Sequence, residues 1–143
     1  MRREGARNEM QQLKIGLASS SAYVATPERL ADRYGNAGVP VLASPHLVEL
    51  AEAECVRCVL PYLGEGESTV GIRLDVRHLA ATPEGMRFTM RVVLQDIDRR
   101  RLVFEVEAHD EVELCFAGVH ERFIIETRPF LERALAKGKR GAR

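Results

Sequence analysis

The sequence lacks the features that mark membrane, secreted or nucleic-acid-binding proteins. Its 143 residues include 21 basic and 21 acidic side chains, so the formal net charge is zero and electrostatic binding to nucleic acid or to a membrane surface is not indicated. Apolar runs fall short of the ~18–20 residues that a membrane-spanning helix needs. The charged start, MRREGARNEMQQ, has no apolar signal segment. We therefore expect a cytoplasmic protein.

Cysteine is also scarce. Cys55, Cys58 and Cys115 are too few for a disulfide framework. The first two match the C-x-x-C pattern, but they fall in the middle of a predicted helix, where the helix dipole cannot activate a thiolate. We favour packed, inert thiols over a redox or metal role. The chain also contains no Walker, Rossmann or H-E-x-x-H motif and no evident cluster of metal ligands, so neither a cofactor nor a metal is expected.

What is present is enough for one globular domain. Hydrophobic residues make up 45% of the chain and charged residues 29%, a balance typical of a folded domain with a sizeable core. We predict a flexible segment over residues 1–10, a single domain over residues 11–137, and a basic tail over residues 138–143.

The dominant predicted element is a long helix within residues 41–64. Ser44 and Pro45 match a helix N-cap followed by the first helical residue, and Pro61 followed by Gly64 ends the helix. Apolar residues share one side of it: Leu47, Val48, Ala51, Cys55, Cys58 and Val59. Glu52 and Glu54 lie at the flanks of this side. Either carboxylate is a candidate general base or nucleophile, or it simply reaches water or pairs with an arginine.

Elsewhere the pattern predicts strands. A first strand is predicted around Leu13–Leu17 and a short helix from Pro27 to Tyr34. After Ser68 the apolar residues alternate, with Val70, Ile72, Leu74 and Val76 on one face. His78 continues that face, either as a histidine at the edge of the core or as a catalytic group. Three further strands and a short C-terminal helix are predicted at 86–94, 102–108, 114–125 and 129–137.

This order predicts the α+β hotdog architecture. Four antiparallel strands in a meander present one apolar face, and the long helix is the only element large enough to cover it. The unpaired sheet edge is expected to pair with a second copy in a homodimer.

Three segments resemble the hotdog thioesterase family that includes fluoroacetyl-CoA thioesterase: VLASPHLVELAEAEC, TVGIRLDVRHLAATPEGM and AGVHERFII. The resemblance extends from about residue 13 to residue 130. It implies hydrolysis of an acyl-CoA, with coenzyme A as part of the substrate. In that family the catalytic residues are a Ser or Thr at the helix start, a Glu two turns later and a His at the end of the following strand. By motif these fall on Ser44, Glu52 and His78.

The resemblance also implies substrate-binding positions. The family's strand glycine falls on Gly71, and its arginine after the His-Glu pair falls on Arg122, which would anchor the substrate or form a structural ion pair. His46 replaces a smaller or apolar residue near the acyl end. Residues 36–39, Asn-Ala-Gly-Val, replace the bulky aromatic lid of the fluoroacetyl-specific enzyme. We therefore expect a general acyl-CoA substrate.

In the expected reaction Glu52 attacks the thioester or deprotonates a water, His78 exchanges protons with that water, and Ser44 provides a hydrogen bond. Two other activities fit the same pattern. One is a hotdog dehydratase or hydratase acting on an acyl thioester. The other is a non-catalytic module that binds acyl thioesters or other small molecules.

Overall fold

The structure, a computed structural model, describes residues 12–142; the predicted flexible segment 1–10 lies outside this range. Five strands and two α-helices make up the fold. The strands are β1 (Ala18–Val24), β2 (Glu67–His78), β3 (Arg87–Asp98), β4 (Arg101–Asp110) and β5 (Leu114–Glu126). The helices are α1 (Ser44–Val59) and α2 (Thr127–Gly141), so α2 continues into the segment predicted as a basic tail. None of the helices described is long and apolar enough to cross a membrane.

The strands form one antiparallel sheet in the order β1-β3-β4-β5-β2, and α1 packs on one face of it. The core lies between them, because α1 buries Leu47, Ala51 and Cys55 against alternate residues of β3 and β4. Strict alternation is what a sheet with one covered face requires. The α+β hotdog fold predicted from the sequence is confirmed.

The sheet order corrects the predicted meander. Only β3, β4 and β5 are consecutive neighbours; β2 pairs with β5 rather than with β3, and β1 lies beside β3. The eight residues between β2 and β3, Leu79–Met86, are too many for a tight hairpin and carry the chain from one edge of the sheet towards the other.

The first strand and the long helix both begin at residues other than those predicted. The first strand runs over Ala18–Val24 rather than Leu13–Leu17, because Gly16 adopts a positive φ of 99° that interrupts an extended backbone. Helix α1 begins at Ser44 itself, with Ala43 as its N-cap. Ser44 is therefore not a capping residue, and its hydroxyl bonds another side chain.

A bulge in β2 overturns the predicted face of that strand. Gly71 pairs with Arg122 while Arg73 pairs with Glu121, which leaves Ile72 as an extra residue. Residues before the bulge therefore change sides. Leu74, Val76 and His78 share the face of β2 that α1 covers, but so do Thr69 and Gly71, and Val70 is turned the other way.

Candidate active site

Glu52 lies in a cleft between α1 and the β2–β5 edge of the sheet. The cleft has a volume of about 260 Å³ and is lined by Glu52, His120 and the bulged part of β2 from Gly71 to Leu74. The Glu52 side chain is 38% exposed, so its carboxylate is accessible from solvent. One of its oxygens, Oε2, lies 3.2 Å from Arg122 Nη1 and 3.8 Å from His120 Nε2.

Gly71 makes room for this carboxylate. A Cβ atom at residue 71 would lie 2.9 Å from Glu52 Oε2, 3.1 Å from the His120 ring and 3.3 Å from Arg122 Nη1. These separations are shorter than ordinary van der Waals contact, so any larger residue would displace the charged groups. The requirement for glycine here comes from close approach, because Gly71 does not have a positive φ.

Arg122 lies on the face of β5 that α1 covers, and its guanidinium makes four hydrogen bonds. Its Nε donates to Thr69 Oγ1 at 2.8 Å and its Nη2 to the Thr69 carbonyl at 2.9 Å. Nη1 serves both Glu52 Oε2 at 3.2 Å and His120 Nε2 at 3.0 Å. The neighbouring Glu121 points to the other face of the sheet, where Arg73 and Arg101 bind it. Arg122 is therefore directed at Glu52.

His120 also lies in the cleft, although the sequence patterns described above did not single it out. It is 1% exposed and lies beside both Glu52 and Arg122. The signal that could have found it is the His-Glu-Arg spacing, since residues two apart on a strand point to the same face. Burial lowers the pKa of His120.

Ser44 and His78 form a second pair. Ser44 Oγ lies 2.6 Å from His78 Nδ1, which connects the start of α1 to the end of β2. Burial lowers the pKa of His78, although a backbone hydrogen bond at Ala80 opposes this shift. The eight residues from Ser44 to Glu52 correspond to about 12 Å along the helix axis. None of the contacts within residues 12–142 joins Glu52 to either member of this pair.

Glu54, the other candidate carboxylate, is buried and hydrogen-bonded between two elements of the fold. Its side chain is 1% exposed and accepts hydrogen bonds from Ser19 on β1 and from Arg57, the latter at 2.6 Å. Burial acts to raise the pKa of Glu54, but the hydrogen bonds from Arg57 and Ser19 outweigh it and the pKa is lowered. Glu54 thus ties α1 to β1 and does not reach the cleft around Glu52.

His46 lies in the first turn of α1. Its Nδ1 is 3.4 Å from the Tyr34 hydroxyl and 3.5 Å from Glu49 Oε2. Its Nε2 is buried and has no hydrogen-bond partner among the described residues. Burial lowers the pKa of His46.

The cysteines belong neither to the cluster around Glu52 nor to the Ser44–His78 pair. All three are buried and free, and burial raises their pKa values, which suppresses the reactive thiolate. The residues that the structure describes contain no group of three or more potential metal ligands.

The fold defines the class of protein first. A hot-dog-like protein from Thermanaerovibrio acidaminovorans superposes with a TM-score of 0.83 at 21% identity, covering 91% of this chain and 95% of that one; at this identity the likeness shows the fold alone. This is a hotdog protein. Within that class, the sequence model of the family described as fluoroacetyl-CoA-specific thioesterase matches residues 25–128. The chain belongs to this family, as its motifs predicted.

Comparisons of sequence and of structure both find similarity to fluoroacetyl-CoA thioesterase. A fluoroacetyl-CoA thioesterase from Streptantibioticus cattleyicolor is 41% identical over 90 residues, which are 63% of this chain and 65% of that relative. The matched stretch is thus slightly less than two thirds of the relative's length. The solved structure of the fluoroacetyl-CoA thioesterase FlK has a TM-score of 0.80 and 34% identity, covering 87% of this chain and 97% of FlK.

Proposed function

We propose that this protein hydrolyses acyl-CoA thioesters to the free acid and CoA, with Glu52 as base or nucleophile. The observation that carries the proposal is the Glu52 carboxylate, which is accessible in a cleft yet bound to Arg122. A carboxylate that is reachable from the cleft and oriented by a guanidinium is placed to act on a substrate there. Membership of a thioesterase family supports the same reaction, and a variant of FlK has been solved in complex with fluoroacetate and CoA.

The carboxylate has two routes to hydrolysis. It can attack the thioester carbonyl carbon, which breaks the C–S bond, releases the CoA thiolate and forms an acyl-glutamyl anhydride that water then opens. Alternatively it removes a proton from a water molecule whose oxygen attacks the same carbon. A thiolate leaves readily, so strong acid assistance is not needed. A neutral His78, oriented by Ser44, suits proton exchange with that water.

We propose that the functional unit is a homodimer paired along β2. Within residues 12–142, β2 pairs with β5 alone, so its other edge is open, and Ile72 and Leu74 are 51% and 42% exposed there. Open apolar edges invite pairing with another strand. A second copy satisfies this edge by two-fold symmetry.

The dimer also provides a way to bring the two groups of site residues together. If Asp75 faces its own counterpart across the two-fold axis, antiparallel pairing sets Arg73 opposite Arg77 of the partner subunit. His78 of the partner subunit then faces Ile72, the extra residue of the bulge, and so lies close to Gly71 and Glu52. In this register Leu74 and Val76 keep their side chains on the α1 face, as the pleat requires. The proposed catalytic set is thus Glu52 from one subunit with Ser44 and His78 from the other.

For substrate binding we propose Gly71, Arg122 and His46. Gly71 allows close approach to the reacting carbonyl, and Arg122 holds the carboxylate and polar parts of the substrate. His46 is proposed from the family resemblance, which places it near the acyl end of the substrate. We expect a general acyl-CoA specificity rather than selectivity for fluoroacetyl-CoA.

A hydrolysis screen tests this function. Short, branched, aromatic and long acyl-CoAs are incubated with the protein and thiol release is followed with a colorimetric reagent. We expect Glu52→Gln to lower kcat by about 10²–10⁴-fold without changing the melting temperature, because the partly exposed Glu52 contributes little to the core.

The matched control is Glu132→Gln on the exposed face of α2, which should retain wild-type rates. Loss of enoyl absorbance without thiol release would instead identify a hydratase. Binding of acyl-CoA without turnover by the wild type would identify a binding module.

A further inference from the structure

We infer that His120 is a positioning residue that acts through Arg122: its neutral ring accepts a hydrogen bond from the guanidinium and so directs that guanidinium at Glu52. The catalytic consequence rests on the proposed function, but the protonation state does not.

The two partners of His120 require one tautomer. Nδ1 lies 2.8 Å from the Arg73 carbonyl oxygen. A carbonyl can only accept, so Nδ1 carries the proton. Nε2 lies 3.0 Å from Arg122 Nη1. A guanidinium can only donate, so Nε2 bears the lone pair. The ring is therefore neutral, with its proton on Nδ1.

The surroundings of the ring agree with this state. Burial is the main cause that lowers the pKa of His120, and the positive charge of Arg122 on β5 lowers it further. The Arg73 backbone on β2, Glu52 on α1 and Glu121 on β5 act in the opposite direction without reversing the shift. Protonation would place an N–H of the ring against an N–H of Arg122, which would disrupt their hydrogen bond.

This hydrogen bond determines where Arg122 points. Thr69 accepts from Nε and from one N–H of Nη2, and the two N–H bonds of Nη1 lie on the side of the guanidinium that faces His120 and Glu52. One of them is directed at His120 Nε2 and the other at Glu52 Oε2. With the first fixed, the planar guanidinium presents the second to the carboxylate. The Arg73 carbonyl, which binds His120 Nδ1, directly follows the β2 bulge. The His120 ring therefore links the bulge to Arg122 and, through Arg122, to the Glu52 carboxylate.

Two substitutions separate the two nitrogens. In His120→Asn the amide can still donate to the Arg73 carbonyl but does not reach Arg122. In His120→Gln the amide oxygen reaches the position of Nε2 and can accept from Arg122. We expect His120→Asn to lower kcat by about 10²-fold with little change in KM, since small displacements of catalytic groups have effects of this size. His120→Gln should retain most of kcat. Equal losses in two variants of equal melting temperature would overturn the inference.

A second comparison asks whether His120 acts through Arg122. In an Arg122→Ala background, His120→Asn should cause no further loss of kcat, because the group that it positions is already absent. An additive loss would mean that His120 acts independently, and the inference would be wrong.

The third measurement does not depend on activity. Histidine ring ¹⁵N NMR of the wild-type protein at neutral pH should show a proton on Nδ1 and none on Nε2 of His120, assigned with His120→Gln. A doubly protonated ring, or a proton on Nε2, would overturn the inference. If the wild type hydrolyses no acyl-CoA, the proposed function fails while this spectrum still decides the state of His120.

Discussion

At the scale of single residues, Glu52 and Glu54 show how position on a helix separates two similar carboxylates. They lie two residues apart on α1 and therefore on different sides of it. Glu54 is buried and held by Ser19 and Arg57, whereas Glu52 opens into the cleft beside Arg122. Burial alone does not indicate which carboxylate reaches the cleft, because the more deeply buried one, Glu54, is held by structural contacts.

Replacing Glu by Gln should therefore have opposite effects at residues 52 and 54: loss of rate at Glu52 and loss of stability at Glu54. Glu54→Gln should lower the free energy of unfolding by about 1–3 kcal/mol, the usual effect of weakening a buried hydrogen-bonded group. It should leave the kcat of the folded protein within about threefold of the wild type, since Glu54 does not reach the cleft; urea unfolding and thiol release measure the two quantities. The assignment would be wrong if Glu54→Gln abolished hydrolysis at unchanged stability.

At the scale of elements, the β2–β5 pair positions most of the site. The bulge sets Gly71 beside Glu52, and β5 directs His120 and Arg122 to the same cleft. Gly118 on β5 permits this close pairing: a Cβ atom there would lie 2.2 Å from the Asp75 carbonyl oxygen and 2.6 Å from Val76 Cα. Both are backbone atoms, so neither can move without moving β2.

Gly118→Ala should therefore push β2 away from β5 and destabilise the protein by about 1–3 kcal/mol, as overpacking does. Thermal unfolding measures the effect. The control is Gly138→Ala in α2, where a Cβ atom would meet nothing within 4 Å; alanine there should be neutral or slightly stabilising. Similar melting temperatures for the two variants would contradict the strand contact.

At the scale of the whole molecule, the proposed dimer assigns Glu52 and His78 of each site to different subunits. Mixing inactive Glu52→Ala and His78→Ala proteins, unfolding them together and refolding them tests this assignment. Random pairing makes about half of the dimers hybrids, each with one intact site of two, so about a quarter of wild-type activity should return. If both groups served the same site from one chain, no activity would return.

The molecule as a whole should also lose stability as the solution becomes acidic. The pKa values of His46, His78 and His120 are lowered by burial in the folded protein, so below their ordinary value of about 6.5 the unfolded chain binds more protons. Their contribution to stability is complete above that pH and decreases as the pH falls through the folded values. The carboxyl groups with lowered pKa values, such as Glu54, add a second loss only below their own ordinary range.

Urea unfolding measured at several values from neutral pH to about pH 5.5 should show this decline. Replacing the exposed His109 by glutamine should leave the decline unchanged. A free energy of unfolding that stays constant over this range would contradict the prediction.

Local patterns in the sequence were sufficient for the long helix, for strands β2 to β5 and for the fold class, but they misplaced the first strand. The apolar side of α1 and the alternation in β3, β4 and β5 each depend on residues within a few positions of one another, and burial against a single partner layer preserves them. Motifs further selected Glu52 over Glu54 by resemblance, and identified Arg122 and Gly71 as members of the same family pattern.

The contacts that distinguish the site were decided only by the tertiary structure. Arg122 meets Glu52 across 70 residues of chain, and His120 meets the Arg73 carbonyl across 47. A single extra residue in β2 reverses which side chains face α1, and alternation read along one strand cannot reveal it. Sheet order and bulges depend on which distant strands pair, since backbone hydrogen bonds form between strands whatever their side chains are. Short-range periodicity therefore specified the helices and strands of this protein, and long-range pairing specified which of their polar residues meet.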